Sequence, residues 1–123
     1  MSNVSQQEVI KTIVKALDSK RGEDIKAVNI RDITIIADYF VIAGASSTTQ
    51  TKALADAVEY ELERQHGIKP VRTEGYSAAN WIILDYTDIV VHVFYKETRD
   101  LYKLEKLWSD GVFVDISEYI KPD

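Results

Sequence analysis

The chain contains no cysteine. Disulfides and thiolate metal sites are therefore excluded, which fits a reducing compartment. No apolar run approaches the roughly 18 residues that signal a membrane-spanning helix. The opening residues, MSNVSQQEVIK, have neither the basic start nor the apolar stretch of a secretory signal. A cytoplasmic location is the expectation. Only two prolines and five glycines punctuate the 123 residues, and no repeat, low-complexity tract or linker is visible. Histidine is scarce, with His66 and His92 alone. Nucleophilic catalysis of the Ser-His-Asp type needs a histidine next to both a nucleophile and a carboxylate, and neither histidine sits in such a pattern. No glycine-rich phosphate loop is present.

What the chain does contain fits one domain, residues 1–123, in which a single core is feasible because a domain of this size hides roughly two-thirds of its unfolded surface. Hydrophobic residues make up 46% and charged residues 28%, as in ordinary globular proteins. The net charge of −5 is unevenly spread. Residues 1–73 hold ten acidic and ten basic side chains, whereas residues 74–123 hold ten acidic and five basic. An acidic half disfavours direct contact with nucleic-acid phosphates, which call for lysine and arginine. It suits a basic protein surface, or simply a solvated acidic face.

The pattern of apolar residues predicts the elements. Ser5-x-x-Glu8 is a capping box opening an N-terminal helix over 5–21, with Val9, Ile10, Ile13, Val14 and Leu17 on one stripe and Gly22 just past its end. A core follows over 25–108. Residues 25–31 alternate weakly as a strand, and Tyr39-Phe40-Val41-Ile42-Ala43 is a continuous apolar run suited to a strand covered on both faces. Ser47-x-x-Gln50 opens a second helix that buries Leu54, Val58 and Leu62 and stops at Gly67, before Pro70. Residues 71–76 form a short strand, and its path from 39–43 through that helix has the form of a right-handed crossover. Residues 80–86 and 88–95 form an antiparallel hairpin. Residues 99–108 form a third helix, with Leu101, Leu104 and Trp108 on one face. An extended tail over 112–123 lies along the body. The order α-β-β-α-β-β-β-α predicts an α/β fold with a mixed sheet of about five strands and helices on its faces.

The candidate functional residues each have a plainer explanation. His66 ends a helix, where a cation complements the dipole. His92 shares a strand face with Val90 and Phe94; it reads as a hydrogen-bonded, partly buried histidine, or as a partner contact. Asp85 and Asp88 flank a tight turn, where aspartate is favoured, so both are expected to be exposed. Convergent metal ligands are not evident, and no cofactor is expected. Trp81, Tyr86, Phe94, Tyr95, Tyr102 and Trp108 all fall in the acidic half. Rings among acidic groups suggest a protein partner, because tryptophan and tyrosine are the usual anchors of such contacts; the same rings also serve as core.

Several segments together resemble the ribosomal silencing factor (RsfS/Iojap) family. They are Asp38-Tyr39-Phe40-Val41-Ile42-Ala43-Gly44; Glu74-Gly75 followed by Trp81-Ile82-Ile83-Leu84-Asp85; residues Asp88 to Phe94; and residues Arg99 to Trp108. The resemblance runs in order from about Ser5 to Trp108. It implies a non-enzymatic adaptor that binds ribosomal protein L-fourteen on the large subunit, blocks joining of the small subunit and lowers translation under nutrient limitation. It also implies a nucleotidyltransferase-like fold. Those enzymes carry a Gly-Ser turn and then paired aspartates that hold Mg²⁺. Here Gly44 and Ser46 imitate the turn, but Asp56 is followed two positions on by Val58, so a two-metal centre cannot be assembled. Where the family often has glycine between the hairpin strands, this chain has Tyr86-Thr87, which makes Tyr86 an additional candidate contact.

The resulting expectation is a partner-binding surface. Trp81 is the apolar anchor, Glu74, Asp85, Asp88 and Glu105 supply acidic complementarity, and His92, Tyr95 and Tyr102 add rings and hydrogen bonds. A nucleotide-dependent transferase and a structural homodimer are the alternatives.

Overall fold

Ser5 and Ser47 begin two helices in the same way. In the computed structural model, which describes residues 5–97 and 110–121, the Ser5 hydroxyl accepts the Glu8 N–H at 3.1 Å, and the Ser47 hydroxyl accepts the Gln50 N–H at 3.0 Å. Each such cap contributes about 1 kcal/mol by satisfying an amide the helix leaves open. Helix α1 spans Gln6–Ser19 and α2 spans Thr48–His66. Gly67 closes α2 at φ 67. α1 is two residues shorter at its end than its sequence suggests, and the left-handed position there belongs to Arg21 (φ 64), with the Gly22 N–H donating to the Leu17 carbonyl at 2.8 Å. That is a Schellman closure with arginine standing where glycine is usual.

Among the described residues, six strands form one mixed sheet: β1 Glu23–Asn29, β2 Tyr39–Ala45, β3 Arg72–Glu74, β4 Trp81–Asp85, β5 Ile89–Tyr95 and β6 Val112–Val114. Their order across the sheet is β3-β4-β5-β2-β1-β6. Only β2 and β5 run parallel; the other pairs are antiparallel. The sheet thus has one strand more than expected, because the start of the tail pairs with β1. The chain leaving β2 through α2 does not bring β3 alongside β2. It takes up β5 as its parallel partner and leaves β3 at the far edge. A strand of three exposed residues with Pro70 nearby suits an edge, whereas β5, buried from Ile89 to Phe94, suits the centre.

Side chains alternate across a strand, so each face can be read directly. One face carries Val41, Ala43, Ile82, Leu84, Val91 and Val93, packed against Ile13, Leu17, Leu54, Val58 and Leu62 of the two helices. Fully burying each such side chain contributes about 1.5–3 kcal/mol. Tyr86 joins this core and is 5% exposed, so it is not the surface contact the hairpin suggested. His66 does more than end α2: its Nε2 lies 2.8 Å from the Thr12 hydroxyl and ties the helix end to α1. The second face holds a separate cluster of Val28, Ile30, Ala37, Ile42, Val90 and Phe94, with Phe40, Trp81 and Ile83 partly buried against it. Neither α1 nor α2 contributes to that cluster. The expected third helix at 99–108 lies outside the described residues.

Candidate functional site

Trp81 is the first residue of β4, and a turn fixes where that strand begins. Gly75 adopts φ 90, and a Cβ there would come within 1.9 Å of the Trp81 carbonyl oxygen. Only glycine permits this approach. The Ala79 N–H then donates to the Gly75 carbonyl at 2.9 Å, closing the turn. Trp81 opposes Phe94 on β5, and their ring centroids are 5.0 Å apart. Its indole Nε1–H donates to His92 Nδ1 at 3.1 Å. His92 and Phe40 also make a T-shaped contact, with centroids 4.6 Å apart and planes at 73°.

The register places one row of side chains across this face: Glu74 opposes Ile83, Ile83 opposes His92, His92 lies beside Ile42, and Ile42 opposes Lys26. A second row runs from Arg72 through Asp85, Val90 and Phe40 to Val28 and Phe113. The middle of this face is apolar, aromatic and buried, with Phe40, Trp81 and Ile83 partly exposed over it and charges at its rims. His92 is 7% exposed, and burial pushes its pKa down to about 4, so it is neutral near pH 7.

Of the residues singled out from sequence, Glu74, Trp81, Asp85 and His92 share this face. Their surroundings, and the places of the others, differ in detail. Asp85 is not freely exposed. Its carboxylate meets Arg72 at 3.3 Å and accepts the Thr87 N–H at 2.8 Å, so its charge is largely committed to the hairpin. Asp88 is exposed, as expected, but lies at the opposite end of β4 from Trp81. Tyr95 alternates onto the helix-covered face with Val91 and Val93, away from Trp81. Tyr102 and Glu105, with Trp108, fall outside the described residues. Phe40, Ile83 and Arg72 belong to the face and were not singled out. Because β2 is apolar throughout, its sequence does not reveal which side chains point which way.

Gly44 lies within β2 rather than in a turn. Asp56 lines a shallow groove of about 500 Å³ with Thr48, Lys52 and Ser77. Among the described residues, no group of three or more His, Cys, Asp or Glu side chains could hold a metal ion, and no helix is long and apolar enough to cross a membrane.

Fold and face together define a small α/β domain, with α1 and α2 packed on one side of a mixed sheet and a second, tryptophan-edged aromatic cluster on the other. Residues 3–123 match the family model described as "Ribosomal silencing factor during starvation". The chain belongs to the ribosomal silencing factor family. It is 39% identical to ribosomal silencing factor RsfS of Halalkalibacterium halodurans, over 95% of this chain and 99% of that protein. It is 38% identical to RsfS of Bacillus subtilis, over 92% and 95% respectively. A crystal structure of a Chromobacterium violaceum protein superposes with a TM-score of 0.82 at 33% identity, covering 86% of this chain and 88% of the other.

Proposed function

We propose that this protein is a non-enzymatic repressor of translation that docks on the large ribosomal subunit through ribosomal protein L-fourteen and sterically excludes the small subunit. The observation that carries the reading is the convergence of Trp81, His92 and Glu74 on one sheet face that α1 and α2 leave uncovered. Family membership supplies the ribosomal context. Aromatic anchors ringed by charge are the usual composition of a protein-docking surface. The acidic second half of the chain complements a basic ribosomal protein. Such a protein acts in the cytoplasm as a soluble wedge and needs no cofactor. Co-sedimentation with purified large subunits tests the docking step. The native chain pellets with them, and Trp81→Ala, folded by circular dichroism, does not; equal pelleting of both removes the docking surface from the proposal.

Self-association is a second reading, favoured by Val112 and Phe113 on edge strand β6, which are 67% and 50% exposed. Sedimentation velocity across a concentration series measures it directly.

A further inference from the structure

Trp81 and His92 are diagonal neighbours on adjacent antiparallel strands, since Trp81 opposes Phe94 and His92 precedes Phe94 by two residues. The indole N–H is a donor only. Its contact with His92 Nδ1 at 3.1 Å therefore requires an unprotonated Nδ1, which puts the proton of the neutral imidazole on Nε2. The imidazole is itself held. Phe40 makes a T-shaped contact with it at 4.6 Å, and the ring of Phe94 lies nearly parallel to it, 6° between planes at 6.0 Å. His92 is buried and Trp81 is only half-buried. A fixed acceptor lies beneath, and a large, partly exposed ring is fastened to it.

We propose that His92 is a positioning residue, whose Nδ1 holds the Trp81 indole in the orientation a docking partner meets, without His92 itself forming the contact surface. This rests on the docking role given to Trp81 above. Trp81 stands at the first position of its strand, where the chain has only just left the Gly75–Ala79 turn. The Nε1–H bond fixes the azimuth of an indole that also packs on Phe94. An anchor already held in its bound rotamer does not lose that freedom on binding. Ordering one such side chain corresponds to roughly two- to tenfold in affinity.

The experiment is a double-mutant cycle in the full chain, with affinity for purified large subunits as one readout and solvent exchange of the Trp81 indole N–H by NMR as the other. The indole resonance is assigned by its loss in Trp81→Phe. Trp81→Phe removes the donor and keeps a ring; His92→Phe removes the acceptor and keeps the packing; His92→Asn restores an oxygen acceptor near the Nδ1 position. The expected result is a protected indole proton in the native chain, faster exchange and two- to tenfold weaker binding in His92→Phe, and recovery of both in His92→Asn. The double variant Trp81→Phe/His92→Phe binds no more weakly than Trp81→Phe alone, because both changes remove the same bond. Additive losses, or native affinity in His92→Phe despite a deprotected indole, overturn the proposal. If His92→Phe fails to fold, Trp81→Phe decides: native affinity without the donor means that the bond positions nothing. A native chain that does not bind large subunits at all removes the docking role and this inference together, whereas native binding with unaffected variants removes this inference alone.

Discussion

The Trp81 indole and the Phe94 ring lie 5.0 Å apart on directly opposed residues of β4 and β5, with Phe94 fully buried beneath the partly exposed indole. Aromatic pairs at such separations are worth about 0.5–1.5 kcal/mol beyond the area they bury. A seated ring with one side towards solvent has the character of an interface anchor. Trp81→Ala is expected to weaken binding to large subunits by about 2 kcal/mol or more, roughly thirtyfold, in a titration followed by pelleting. The same change opens space above Phe94 and lowers the melting temperature, so affinity is compared well below the transition.

Glu74 is exposed on edge strand β3, directly opposite Ile83 and on the Trp81 face. A rim charge of this kind steers encounter more than it holds the complex. Glu74→Gln is expected to slow association with large subunits and to flatten its dependence on salt, while the dissociation rate and folding stability stay nearly unchanged. Stopped-flow association at two ionic strengths checks it; an unchanged salt slope shows that Glu74 faces no basic surface.

The His92 pKa is lowered to about 4 by burial, against an ordinary value of 6.5. Between these values the unfolded chain binds the proton and the folded chain does not. Stability is therefore fully present above about pH 6.5 and falls as the pH drops towards 4, by an amount on the order of 3 kcal/mol. Protonation at Nδ1 would also break the bond from the Trp81 indole. Urea unfolding at pH 7 and pH 4.5 is expected to show this loss in the native chain and a much smaller one in His92→Asn. Equal losses in both would place the acid sensitivity in other groups.

Thr87 carries φ 75 at the β4–β5 turn. A β-branched residue is strained there, by about 1–3 kcal/mol. The Asp85 carboxylate accepting the Thr87 N–H at 2.8 Å helps to hold the turn. Thr87→Gly relieves the strain at some cost in chain entropy. It is expected to raise stability by about 1 kcal/mol, measured as a higher denaturation midpoint with native affinity for large subunits.

Helices α1 and α2 and the hairpin were legible because local chemistry dictates them. Ser5 and Ser47 cap their helices as the sequence implied, and the runs before and after Thr87 pair as a hairpin. What local pattern could not supply was the choice of neighbours. Val112–Val114 are three residues, too few for a periodic signal, and become a strand only because the β1 edge is available. The same holds for β5: nothing in its own sequence states that β2, rather than β3, lies beside it. For the site, alternation puts His92 with Val90 and Phe94 on one strand face, as the structure does, and the same parity places Tyr95 on the other. Tyr86 misled because a tyrosine beside a turn looks like a surface ring. Its burial reflects how the hairpin end packs over the helix-side core, a tertiary fact.

On the proposed function, the aromatic face excludes one ribosomal subunit from another. The most direct measurement adds the purified chain to separated large and small subunits and follows their recombination by light scattering. The account predicts that the native chain lowers the recombined fraction in proportion to its occupancy of large subunits, and that Trp81→Ala at the same concentration does not. Full recombination at saturating native chain, or equal inhibition by Trp81→Ala, would contradict it.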